Sequence, residues 1–173
     1  MTPEAATYSK VERLRDGREV TIRALRPDDR TDMLAAIDSM STQSLRRRFF
    51  GVKRSFSEQE IAYFLQLDFV NHVALVAVVE EGDDGEIVGG ARYVVVEPGA
   101  AEIAFAVIDE FQGQGIGAAL LRHVVGLARK AGLRELVAEV LPENAAMLKV
   151  FQRSGLTHTT KRAGAVVHLA FQL

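Results

Sequence analysis

The sequence of 173 residues predicts a mixed α/β domain with a largely antiparallel sheet. Three observations carry that prediction. Valine-rich segments in the middle of the chain are joined by connections so short that their neighbours must be antiparallel. A further strand-like segment follows a long amphipathic helix, which requires a crossover and hence one parallel pair. The last residues alternate around a basic glycine turn, as a closing hairpin does. Together they predict about seven strands and four helices.

Residues 1–10 read as a flexible end. EVTIRAL (19–25) alternates apolar and polar residues, as a half-buried strand does. Pro27, Asp28 and Asp29 open an amphipathic helix over DDRTDMLAAIDSM. In SFSEQEIAYFLQLD, Ser57 and Glu60 form a capping box ahead of the apolar face Ile61, Phe64 and Leu65. HVALVAVVEE (72–81) and EIVGGARYVVVE (86–97) are strands joined by the turn GDDG (82–85), with a kink expected at Gly89–Gly90. After Pro98 and Gly99 comes the strand AEIAFAVI (101–108). The long helix covers 116–131 with the stripe Ile116, Leu120, Val124, Leu127 and Ala131. Arg129 and Lys130 sit in its last turn and Gly132 stops it. ELVAEVL (135–141) should run parallel to 101–108. Asn144 caps a helix that ends near Ser154, with Gly155–Leu156 as its stop. LTHTT, KRAG and AVVHLAFQL make the final hairpin. No linker divides the chain, so one domain covers residues 1–173.

Composition excludes several function classes. A net charge of −2 with 25% charged residues does not describe a polyanion binder, and no basic stripe interleaved with aromatics suggests nucleic acid. The absence of cysteine removes disulfides, thiol nucleophiles and thiolate metal sites, and points to the cytoplasm. No apolar run is long enough for a membrane span. His72, His123, His158 and His168 lack ligand spacing, so no metal is expected.

The stretch FQGQGIGAAL (111–120) carries the chemistry. A helix start offers unpaired N–H groups and the positive end of a dipole, and glycines let a ligand come close, which suits a phosphate. Gly113, Gly115 and Ala118 match a dinucleotide fingerprint, but hairpin-like strands precede them and only 56 residues follow Gly117, too few for a doubly wound sheet. No Lys-Ser or Lys-Thr follows the glycines, so a P-loop is excluded.

Taken from Gln112, the loop is Gln-x-x-Gly-x-Gly, with Gly115 and Gly117 as its glycines. A strand, an asparagine-started helix and NAAMLKVFQRSGL come next. In this the chain resembles the GNAT superfamily of N-acetyltransferases over roughly residues 19–173. The stretches MSTQSLRRRFFG (40–51) and AEIAFAVIDEFQGQGIGAALL are most similar to the acetyltransferase domain of bacterial protein lysine acetyltransferases. Met147 stands where the family pattern has Ala, and Leu156 where it has Phe. The resemblance implies a GNAT-type central mixed sheet with a splayed parallel pair, and acetyl-CoA as co-substrate. It places the pyrophosphate on the backbone of Gln114, Gly115, Ile116, Gly117 and Ala118 behind Gln112. It lays the pantetheine arm along Phe105, Ala106 and Val107, beside Val140 and Leu141. It lets Asn144 reach that arm, where the residue pattern alone makes Asn144 a plain helix cap.

Amine acetylation requires a neutral amine, and a lysine has an ordinary pKa of about 10.4, so a base is needed near neutral pH. Glu102 is the candidate. It sits in a strand that is otherwise apolar, on the face of Ala104 and Ala106, and the resembled subfamily has its catalytic glutamate on this strand. The usual tyrosine acid is replaced by Phe151, which leaves the acid open. Tyr93 reads as a packed strand residue and Ser154 as helix-end polarity. Arg46, Arg47 and Arg48 fit a solvated face, a phosphate site or, with Ser41, Ser44 and Phe49, the entrance of the site. The expected acceptor is a protein lysine such as one on an acyl-CoA synthetase. A small amine is the alternative, and a non-catalytic acyl-CoA sensor is a third possibility. The assembly expected is a monomer or a homodimer.

Overall fold

A computed structural model describes residues 3–49, 55–81 and 84–173. Its strands are β1 (Ser9–Arg13), β2 (Glu19–Ala24), β3 (His72–Glu81), β4 (Asp84–Glu97), β5 (Ala100–Val107), β6 (Glu135–Val140), β7 (His158–Ala163) and β8 (Val166–Gln172). Its α-helices are α1 (Arg30–Asp38), α2 (Thr42–Phe49), α3 (Glu58–Leu65), α4 (Ile116–Lys130) and α5 (Ala145–Gln152). The strands form one eight-stranded sheet in the order β1-β2-β3-β4-β5-β6-β8-β7. Among the described residues, only β5 and β6 pair in parallel.

Two elements go beyond the expected seven strands and four helices. β1 lies partly in the segment read as a loose end. Its residues are almost all exposed, so it shows no apolar alternation, yet it pairs with β2 from Ser9↔Arg23 to Arg13↔Glu19. A side-chain chain ties it to α4. The Tyr8 hydroxyl bonds His123 Nδ1, and Glu12 Oε1 accepts from His123 Nε2 at 2.7 Å and Arg122 Nη2 at 3.2 Å. α2 is a short, arginine-rich helix whose apolar residues are too few to show a period. Gly82 and Asp83 of the expected turn GDDG lie outside the described residues.

The core divides across the sheet. On one face, α4 and α5 bury Ile116, Leu120, Val124 and Phe151 against Ile103, Phe105, Leu136 and Phe171. On the other, α1 and α3 bury Met33 and Ile61 against Ala74, Val76 and Ile87. β3 is buried from His72 to Val79 because both faces are covered, which is why it reads as a valine run rather than an alternating strand. The capping box of α3 is formed: Ser57 Oγ accepts from Glu60 N–H at 3.1 Å. The kink expected in β4 is a register shift. Ala77 pairs Gly89 and Val78 pairs Ile87, so Val88 is the extra residue of a bulge.

The β5–β6 pairing stops early. Ala100↔Glu135, Ala101↔Leu136 and Glu102↔Val137 are in register, and then the strands part. Beyond them β5 keeps β4 as neighbour to Val107, and β6 keeps β8 to Val140. The gap opens toward the start of α4.

The link between β2 and α1 rests on a partly buried ion pair. Asp29 accepts from Arg23 through two bonds of 2.8 and 2.9 Å and from the Arg26 backbone N–H at 2.7 Å. Burial pushes the Asp29 carboxyl up, but the Arg23 bond and the Arg26 N–H outweigh it and hold it below the ordinary value. Its stabilisation is therefore complete above the unfolded-state pKa of about 3.9 and is lost as the pH falls through the lower folded-state value. Asp29→Asn, which strands the Arg23 guanidinium, is expected to cost about 3 kcal/mol in urea denaturation at pH 7. The loss relative to the parent protein should shrink on acidification.

Candidate active site

The glycine loop turns tightly into α4. Gly113 and Gly115 hold positive φ values of 78° and 93°, a conformation side chains with a Cβ rarely adopt. Gly115 is the N-cap of α4. Ala119 N–H is bonded to Gly115 C=O at 3.0 Å, so the N–H groups of Ile116, Gly117 and Ala118 before it have no acceptor within the helix.

These groups open onto a groove of about 720 Å³ between the end of β5, the start of α4 and α5; Val140 and Leu141, expected beside it, do not line it. Phe105, Ala106, Val107, Gln112, Gly115, Ile116, Gly117, Ala118 and Asn144 all line it. Gln114 does not. Its side chain turns back, donating to Glu110 C=O at 3.3 Å, while its Oε1 is buried without a partner. Gln112 is a brace: its Nε2 donates to Val107 C=O at 2.9 Å and to Ser44 Oγ at 3.1 Å, joining the end of β5 to α2. Asn144 caps α5, its Oδ1 accepting from Met147 N–H at 3.2 Å, while it lines the groove. The rim is cationic, with Arg15, Arg47, Arg122, Arg129, Lys149 and Arg153. This suits a polyphosphate ligand.

The arginine cluster divides by direction. Arg46 pairs with Glu143 at 2.8 Å at the surface. Arg47 lines the groove, and its Nε is buried with no partner among the described residues. Arg48 lines both the groove and a second cavity. Asp109 locks α2 in place by accepting from Ser41 N–H at 3.0 Å. Burial pushes the Asp109 carboxyl up, but the bonds from Ser41 and Ser44 hold it below the ordinary value. Phe50 and Gly51 of the quoted stretch lie outside the described residues.

The second cavity, of about 90 Å³, lies on the α1–α3 side of the sheet. Met33, Ile37, Phe49 and Phe64 wall it, and Ala74, Gly90, Ala104 and Ala106 form its floor. It shares Met40, Arg48 and Ala106 with the groove, so the two spaces meet at the end of β5. Arg92, opposite Ala104 on β4, enters its wall. That residue stood in a segment read only as a strand. A lone charge inside GGARYVVV was the signal available.

Glu102 shares the alternation of Ala104 and Ala106 but lines neither space, and it is exposed. The apolar setting argued from its neighbours is absent. Ala101 and Ile103 are buried on the opposite face of β5, where the pleat sends them. Phe151 is packed edge-to-face on Phe105, with ring centroids 5.8 Å apart, and against Phe171 at 4.8 Å. Tyr93 is 2% exposed in the core, and burial pushes its hydroxyl up.

Comparison with known proteins follows this geometry. Residues 40–156 match the family model described as the acetyltransferase (GNAT) family. An acetyltransferase of Pseudomonas aeruginosa is 36% identical over 140 residues, 79% of this chain and 74% of that protein. The acetyltransferase Pat of Mycolicibacterium smegmatis is 31% identical over 89% of this chain, which spans only 46% of Pat's length. The crystal structure of the GNAT domain of S. lividans PAT superposes with a TM-score of 0.88 at 32% identity, covering all of both chains.

Gly115→Val would force a β-branched residue into the left-handed region and re-aim the N–H groups of the first turn. It is expected to cost about 1–3 kcal/mol of stability. Calorimetric titration with CoA should show Kd raised at least about tenfold, the equivalent of 1.4 kcal/mol.

Proposed function

The chain belongs to the acetyltransferase (GNAT) family and is an acetyl-CoA-dependent acyltransferase, and within that family we propose that it acetylates a primary amine, a protein lysine first among the acceptors, with Glu102 as the base. The observation that carries this reading is the junction at Ala106. The cationic groove ends there, and the small second cavity begins there. A thioester carried down the groove is presented where the second cavity can admit an amine.

The first turn of α4 supplies convergent N–H donors for the pyrophosphate, and Arg47 lines the same groove. Past Glu102↔Val137, backbone groups of β5 that face the gap have no strand partner. Strand-like pairing of the pantetheine amides with Phe105, Ala106 and Val107 satisfies them. A backbone N–H at Ala106 or Val107 then polarises the thioester carbonyl. The amine nitrogen forms its bond to that carbonyl carbon, the C–S bond breaks, and CoA departs as thiolate. The proton lost from nitrogen goes to Glu102. Ala106 is four residue steps along the strand from Glu102, about 13 Å at 3.3 Å per residue, so the proton crosses through water. Phe151 supplies no proton, and a thiol is acidic enough for CoA to leave as its thiolate without one.

A small amine is the second reading, and the volume of the second cavity, about 90 Å³, favours it.

Two measurements test the reading. Acetyl-CoA and CoA should raise Tm, and stabilisation by NAD alone would remove the acetyltransferase assignment. Glu102→Gln should lower kcat at pH 7 by about 100-fold, the low end for a general base. The deficit should narrow at high pH, where the amine loses its own proton. Unchanged kcat at pH 7 would remove Glu102 as base.

A further inference from the structure

The second cavity is charged in an unexpected sense for a site that receives an ammonium. Two guanidiniums, Arg48 and Arg92, reach it from different elements, α2 and β4. Among the described residues, neither forms an ion pair. Arg92 is held by neutral groups instead. Its Nη1 donates to His72 Nε2 at 3.0 Å and to Phe64 C=O at 3.3 Å, and its carbon lies 4.8 Å from the Phe64 ring centre. An arginine only donates, so His72 Nε2 is the acceptor and Nδ1 carries the proton. Both bonds use one nitrogen, which leaves the Nε–Nη2 edge of the fork without a protein acceptor among the described residues. Arg48 stacks over Phe49 at 4.7 Å.

Such a pair is costly alone. Both are half-buried, and two like charges that share one small space repel. Burial brings Arg48 down to about 10, with the charge of Glu102 working the other way. Burial, and then the neighbouring Arg48, bring Arg92 down to about 9. Burial and Arg92 push His72 down to about 4, so it stays neutral and keeps accepting. At neutral pH both guanidiniums remain charged. Glu102 acts on Arg48 without lining the cavity, Arg92 has no carboxylate acting on it among the described residues, and the free fork edge of Arg92 matches a carboxylate.

We propose that Arg48 and Arg92 clamp a carboxylate of the acceptor, so that the preferred amine carries an acidic group that enters the second cavity. The inference rests on the acetyltransferase reading, which makes this cavity the acceptor side. The carboxylate has two sources: the α-carboxylate of an amino-acid-like amine, or an acidic side chain beside a target lysine.

Two pairs of probes separate those sources, the members of each pair differing only in acid against amide. The first compares binding of N-acetyl-L-leucine and N-acetyl-L-leucinamide by calorimetry in the presence of CoA. The second compares acetylation, by thiol release, of two short peptides with a single lysine followed by Glu or by Gln. In one pair the acid should be favoured by about ten- to hundredfold, as Kd in the first or KM in the second, the range for a hydrogen-bonded charged group. Arg92→Gln should abolish the preference and Arg92→Lys should restore part of it. Preference in the first pair assigns an amino-acid-like acceptor, and preference in the second assigns an acidic peptide. Equal behaviour of acid and amide in both pairs overturns the clamp even if amines are acetylated. Acid preference in binding with no acetylation of any amine would overturn the transferase reading and leave the clamp standing.

Discussion

Three residue pairs hold β5 and β6 together, and the rest of the molecule is arranged around the place where they part. A sheet interior normally satisfies every backbone group by pairing, and an unmet buried group costs about 1–3 kcal/mol. The divergence forgoes that pairing at the middle of an eight-stranded sheet. Elsewhere the structure offsets it. β6 pairs with β8 along its full length, and Phe151 bridges from Phe105 on β5 to Phe171 on β8. That aromatic bridge ties β5 to β8, and through β8 to the diverging β6, by way of α5.

The gap explains the position of each neighbouring element. α4 starts at the mouth of the gap, so its unbonded N–H groups and the backbone of β5 face one groove. Gln112 bonds both Val107 and Ser44, and Asp109 bonds Ser41, so α2 is fixed relative to the end of β5 rather than to its own helical neighbours. That coupling places Arg47 on the groove and Arg48 at the junction of the two spaces. One short helix therefore serves both sides of the junction.

Electrostatics divides the same way. Cationic residues at the groove rim are the ordinary complement of a polyphosphate. Two further cations in the second cavity are not, because an amine acceptor brings its own positive charge. A carboxylate on the acceptor resolves the contradiction, and the neutral His72 and Phe64 carbonyl orient Arg92 without neutralising it.

Much of this was legible along the chain. The glycine loop, the capped helices, the order of strands and the one parallel pair all follow from local rules: a positive-φ turn needs glycine, a helix start needs caps, and a crossover fixes strand direction. Those constraints act over a few residues, so the sequence alone carries the order of most elements and the glycine turn ahead of α4. It did not determine β1, whose exposed side chains leave no pattern, or α2, too short to show a period. It also misjudged the surroundings of Glu102, because residues adjacent in a strand lie on opposite faces and its apolar neighbours are not its environment. Only the tertiary structure decided what the second cavity contains. Arg48 and Arg92 come from a helix and a strand on separate parts of the chain, and packing across the sheet, not sequence periodicity, brings their charges together.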